Sequence, residues 1–176
     1  MARIIIVGTS GAGKSVLGEQ ASQRLGVPFL ELDAYFWQPG WVQASTAVFR
    51  QRVAEAIAAE AWTAGGNYGV ARDLIWARAD TLVWLDYPLP LTLWRLLRRT
   101  VQRIITQEDL WHTGNREIWQ KQFMSRESLF LWAVNSHQRH AQEYPGLLKQ
   151  YAHLKVHRFY KPSQAENWLK SLPKKE

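Results

Sequence analysis

Gly8-Thr9-Ser10-Gly11-Ala12-Gly13-Lys14-Ser15 fits the spacing G-x-x-x-x-G-K-[ST], the pattern of a phosphate-binding loop. Glycines at 8, 11 and 13 let the backbone curl, so that successive N–H groups from Ser10 to Ser15 point inward at phosphate oxygens. Lys14 reaches the β- and γ-phosphates as a point charge, and the Ser15 hydroxyl is a ligand for Mg²⁺. The motif needs a strand before it and a helix after it. Arg3-Ile4-Ile5-Ile6-Val7 is a β-branched run, and Val16 to Leu25 repeats apolar residues (Val16, Leu17, Ala21, Leu25) at helical spacing. The helix N-terminus adds its positive dipole end to the same anion. At average composition a chance match to the four fixed positions arises in well under about 1% of chains of this length. The first fifteen residues therefore predict binding of a nucleotide, with Ser15 as a ligand for Mg²⁺.

Other residues have chemistry that such a site needs. Pro28-Phe29-Leu30-Glu31-Leu32 reads as a second strand ending at Asp33. In a parallel sheet the carboxyl ends of the strands line the ligand crevice. Asp33 there binds the second substrate, orients Mg²⁺ through water, or acts as a base; the alternative is a turn-forming Asp that caps the next segment. Thr81 to Asp86 is an apolar strand followed by an acid, the form in which an Asp holds Mg²⁺, although Pro88 and Pro90 also suit Asp86 as a helix cap. Arg95, Arg98, Arg99 and Arg103 crowd one predicted helix, Leu91 to about Gln107, with no acid among them. Arg95 and Arg99 are one turn apart and suit the neutralisation of a phosphoryl group in transfer; a solvated basic face is the plainer account. Gly65-Gly66-Asn67 follows a short strand at 61–64, which makes Asn67 a candidate hydrogen-bonding residue or part of a flexible turn. Arg72 opens a short helix to Arg78 and faces crevice or solvent. Ala34 to Trp41, with a Pro39-Gly40 turn, is an aromatic loop that supplies one wall of an acceptor pocket, Trp37 included. Glu108 to Arg116 reads as a loop where a lid would close, with Arg116 in reach of the phosphates. His137 and His140 are spaced as one-turn metal ligands, but no third ligand is near in sequence.

The elements that must position these groups alternate strand and helix. Ser45 caps a helix from Thr46 to about Glu60; Ser125 or Ser128 caps another that Tyr144-Pro145-Gly146 stops; Leu154 to Phe159 is a fifth strand; and Ser163 caps a last helix ending at Leu172. The 176 residues, 47% hydrophobic, suit one domain (1–176) with a lid-like segment at about 104–127. No apolar run approaches a membrane span, there is no cysteine for disulfides or thiolate sites, and Met-Ala-Arg leads straight into a strand, so the expectation is a cytoplasmic protein. The net charge of +7 suits an anionic ligand and also nucleic acid, for which no recognition motif is present.

Taken together, the strand–loop–helix, Asp33, the Gly-Asn turn and the Arg-x-x-x-Arg helix resemble the adenylate kinase and shikimate kinase group of small P-loop kinases. LDAYFWQPGW (32–41), GNY (66–68), ADTLVWLD (79–86), LWRLLRR (93–99), DLW (109–111) and GNRE (114–117) are more similar to the bacterial DNA topology modulation proteins (FlaR-related). The resemblance implies an α/β fold of the P-loop NTPase type: a five-stranded parallel sheet in order 2-3-1-4-5, with helices on both faces. It implies ATP and Mg²⁺, a phosphoryl acceptor of small size, and a role for Arg95 and Arg99 beside the phosphates. One position departs from it: Gly65 stands where such proteins carry an Asp, which removes a carboxylate from the acceptor side or the Mg²⁺ side.

Overall fold

A computed structural model of the chain describes residues 2–118 and 129–175. The predicted caps Ser125 and Ser128, and the lid segment beyond 118, lie outside the described residues. β1 (Arg3–Gly8) runs into the phosphate loop and α1 (Lys14–Leu25). β2 (Phe29–Glu31), α2 (Leu32–Phe36), β3 (Trp37–Gln38), β4 (Val42–Gln43) and α3 (Thr46–Ala56) follow. Next come β5 (Trp62–Gly65), α4 (Arg72–Arg78), β6 (Thr81–Leu85) and α5 (Leu89–Thr106). The described chain closes with α6 (Leu129–Gln150), β7 (Lys155–Phe159) and α7 (Pro162–Ser171).

The sheet is parallel, in order β2-β5-β1-β6-β7. With the small β3–β4 hairpin set aside, this is the expected 2-3-1-4-5 order. Side chains of a strand alternate between faces, and the core divides accordingly. Ile4, Ile6, Val83 and Leu85 pack with Leu17 and Ala21 of α1 and Ala165 and Trp168 of α7. Ile5, Val7, Leu82 and Trp84 pack on the opposite face with Phe49 and Val53 of α3, Ile75 and Trp76 of α4, and Tyr144 of α6. Helices therefore cover both faces, and all five strands end at the edge where the phosphate loop lies.

Four local readings change. The second strand stops at Glu31, and Asp33 sits in the first turn of α2 instead of at a strand end. Leu32, Tyr35 and Phe36 have helical i, i+3, i+4 spacing, and the α3 side of the core takes all three. The aromatic loop is thus a helical turn followed by a hairpin, Trp37–Gln38 against Val42–Gln43, with Trp41 in the left-handed region at φ 61°. Pro145 does not stop α6, which runs through it to Gln150. An interior proline costs a helix about 3 kcal/mol; here Tyr144, Leu147, Leu148 and Tyr151 pack on the core and hold the following turn in place. Ser45 caps α3 as expected, accepting from the Val48 N–H at 3.3 Å. At α7 the cap is Lys161, with Pro162 at the first helical position and the Gln164 side chain accepting from the Lys161 N–H, so Ser163 lies inside the helix.

Candidate active site

The phosphate loop is built by backbone that few side chains tolerate. Gly8, Gly11 and Gly13 have φ of 148°, 85° and 94°. A Cβ on Gly11 would lie 2.3 Å from the Thr92 carbonyl oxygen of α5, so this glycine also sets how closely the arginine helix approaches the loop. The Lys14 ammonium donates to the carbonyl oxygens of Gly8 (2.9 Å) and Thr9 (3.2 Å), curling back over the loop. Loss of water around it lowers the Lys14 pKa to about 8, against the pull of Asp33 and Glu31 and with the push of Arg99. Asn67 braces the loop from the end of β5: its amide donates to Gly8 O and accepts from Gly8 N–H at 3.1 Å. Both ends of that amide bond the loop backbone, so Asn67 braces the loop. From α6, His137 Nδ1 meets the Thr9 hydroxyl at 3.2 Å.

Two carboxyl groups face this loop. Glu31, the last residue of β2, lies beside the Ser15 side chain, which favours its charged form, and acts electrostatically on Lys14. Burial, and then the Asp33 charge, raise the Glu31 carboxyl to about 7. Its strand partner in the sheet is Gly65, the position where an Asp was expected. The carboxylate thus comes from the neighbouring strand, while Phe29, two residues earlier on the same face, fills the space over Gly65: a Cβ there would lie 3.4 Å from the Phe29 ring. Local sequence does not single out Glu31, because an apolar run that continues through Leu32 extends the apparent strand to Asp33; its period-2 relation to Phe29 is the signal that marks it. Asp33 accepts a hydrogen bond from the Tyr68 hydroxyl at 2.5 Å. Burial and the Asp33 charge push that phenol far above its ordinary range, so it remains a donor.

The cations come from α5. Arg95 lies above Gly13, its guanidinium 5.6 Å from the Tyr87 ring. Arg99 is largely buried, its Nε has no partner among the described residues, and it acts electrostatically on Lys14, Asp33 and Glu31. Burial and the Arg103 charge lower its pKa. Arg103 is held aside by Glu108 (3.4 Å) and by buried Glu117 (3.2 Å), and Arg98 is exposed.

Other predicted residues lie elsewhere. Asp86 is bound by Arg158, whose Nε and terminal nitrogen reach the same carboxylate oxygen at 2.9 and 2.6 Å. Neighbouring β6 and β7 positions make that pairing possible. Arg72 lies over the rings of Trp76 and Tyr144, at 5.4 and 5.7 Å, beside the Asn67 turn. His140 stacks on Tyr144 at 4.7 Å and is lowered to about 3, chiefly by burial and then by the Lys14 charge, so it is a neutral core residue. Arg116 offers its carbonyl to the Trp41 indole while its side chain is exposed. Among the described residues no group of three or more His, Cys, Asp or Glu is placed to hold a metal ion. The Ser15 hydroxyl beside two carboxyl groups is nevertheless an all-oxygen donor set, which fits Mg²⁺ once phosphate oxygens and water complete its shell.

No protein-family model matches the chain, and no curated protein matches it either. Solved structures do. A shikimate kinase from Bacteroides thetaiotaomicron is 17% identical, with 96% of this chain and 94% of that one covered at a TM-score of 0.57. A shikimate kinase from Acinetobacter baumannii in complex with shikimate is 18% identical, covering 97% and 89%, with a TM-score of 0.57. A gluconokinase from Sinorhizobium meliloti 1021 is 17% identical, covering 97% and 98%, with a TM-score of 0.51. What these likenesses establish is the architecture: the chain has the α/β fold of P-loop small kinases over nearly its whole length.

Proposed function

We propose that the chain is an ATP- and Mg²⁺-dependent phosphotransferase acting on a small molecule, with nucleotides and nucleosides the first acceptors to try. One observation carries the reading: Lys14, Arg95 and Arg99 converge with Glu31 and Asp33 around a phosphate loop at the carboxyl edge of a parallel sheet. The loop N–H groups and Lys14 hold the triphosphate. Ser15 and Glu31 hold Mg²⁺, whose chemistry when bound is to neutralise charge on the β- and γ-phosphates. Arg95 and Arg99 offset charge on the transferring group. Asp33 positions the acceptor hydroxyl and takes its proton as the oxygen bonds to the γ-phosphorus and the bond to the bridging oxygen of ADP breaks. Nearly all of this is positioning and electrostatics, which is what phosphoryl transfer needs from a protein.

A role as a nucleic-acid-associated ATP-binding protein, in the manner of DNA topology modulation proteins, is the competing reading. The net charge of +7 favours it. The placement of the arginines favours the kinase, because Arg99 faces inward and Arg103 is already paired. The discriminating experiment is ADP formation from ATP against a panel of nucleotides, nucleosides and small hydroxylated metabolites, with Lys14→Ala as control. Stimulation by one acceptor, lost in Lys14→Ala, supports the kinase. ATP binding without stimulated turnover, together with steeply salt-dependent DNA binding, sinks it in favour of the regulatory role.

A further inference from the structure

Asp33 is not held by its own helix alone. Its carboxylate takes a hydrogen bond from the Tyr68 hydroxyl, whose ring belongs to an aromatic cluster with the helix and hairpin that follow Asp33. The Tyr68 ring is 4.7 Å from Phe36, which is 5.2 Å from Trp37. Trp37 is 5.5 Å from Trp41, and Trp41 is 6.0 Å from Trp111. A row of five rings therefore runs from the carboxylate, across the β3–β4 hairpin, to the 108–118 segment that follows the arginine helix.

The far end of the row is fastened by one side chain. Asn115 is buried, with 2% of its surface exposed. Its Oδ1 accepts from the Trp41 backbone N–H and its Nδ2 donates to the Gln38 carbonyl, both at 2.9 Å. The Trp41 indole N–H adds a bond to the Arg116 carbonyl at 3.2 Å. The segment is closed on itself by the Leu110–Asn115 bridge and held towards α5 by the Glu117–Arg103 ion pair. Its position is thereby linked to the helix that carries Arg99.

We propose that Tyr68 and Asn115 are positioning residues for phosphoryl transfer. Tyr68 fixes one oxygen of Asp33 so that the other faces the acceptor. Asn115, acting through the hairpin and the ring row, makes that placement depend on where the nucleotide-side segment sits. Acceptor-side geometry is thus set from the nucleotide side, in a site where about 1 Å of misplacement costs on the order of a hundredfold in rate. This inference rests on the phosphotransferase reading.

The test uses the full chain and measures ADP release from ATP, with the acceptor the panel yields and with water alone. Tyr68→Phe keeps the ring and removes only the donor; Asn115→Ala removes both hairpin bonds. Expected is a kcat loss of about tenfold for Tyr68→Phe and about threefold or more for Asn115→Ala, with KM for ATP within twofold of wild type. Wild-type kcat in Tyr68→Phe overturns the positioning role, whatever the acceptor. Loss of ATP affinity with kcat unchanged in Asn115→Ala overturns the coupling through the hairpin. A wild-type chain that binds ATP but releases no ADP, with or without an acceptor, removes the phosphotransferase reading and this inference with it.

Discussion

The two halves of the crevice are made differently. On the proposed nucleotide side, eight consecutive residues would supply the cradle, the cation and the hydroxyl, and the strand and helix that aim them adjoin them in the chain. On the proposed acceptor side the groups come from positions 33, 37 and 68, are tied through the hairpin to Asn115, and meet only because α2, the hairpin and the turn after β5 are packed together. A local motif tolerates change in its surroundings, because its geometry is set by its own dihedrals. A dispersed site is only as well placed as the packing between its parts.

This contrast is open to direct attack. Lys14→Ala removes the cation that the loop itself carries, and is expected to lower ATP turnover about a thousandfold while urea unfolding stays cooperative. A loss under tenfold would mean the loop is not the catalytic cradle. Gly11→Ala strikes the same side through the backbone: at φ 85°, and with the Thr92 carbonyl in the way, the chain must strain or α5 must move. The expected cost is about 2 kcal/mol or more in urea unfolding, together with weaker ATP binding. An unchanged midpoint would show that α5 is free to shift away from the loop.

Glu31 gives a test by pH. Its carboxyl keeps its proton up to about 7 in the folded chain, whereas an unfolded Glu releases it near 4.3. Between those values the folded chain binds more protons, so this group favours folding increasingly as pH falls. His140 works in the opposite sense: it stays neutral to about 3 when folded but takes up a proton near 6.5 when unfolded, so its contribution is lost on acidification. Glu31→Gln removes the first slope and keeps the second. Its urea midpoint should therefore fall more steeply from pH 7 to pH 5 than that of wild type, and equal slopes would place Glu31 in water. The smallest effect is expected at the exposed Arg50–Asp73 pair (2.7 Å), which joins α3 to α4 on the acceptor side. Asp73→Asn should leave both the urea midpoint and KM for ATP unchanged within error, because solvent screens such a pair. A measurable change in KM would mean that this edge of the sheet steers the crevice.

Some of this organisation could be read directly from the chain. Hydrophobic runs of β-branched residues alternating with helical repeats predicted the sheet and its helices, because those signals are local and each element satisfies its own backbone. Lys14, Ser15 and the loop glycines were legible for the same reason. Arg95 and Arg99 were legible as a pair by their spacing, though not which of the helix's arginines turns inward. Pro145 shows the limit of local rules, since tertiary packing overrode a strong helix breaker. Asp86 shows another: a carboxylate after an apolar strand is paired, through one oxygen, with Arg158, 72 residues away, which its local sequence does not announce. Glu31 in place of Gly65, the Tyr68 bond to Asp33 and the Asn115 fastening are contacts between residues 34 to 77 positions apart. No periodicity encodes such pairs. They exist because chain segments with separate local preferences are pressed against one another, and only the packed fold settles which polar groups then find partners.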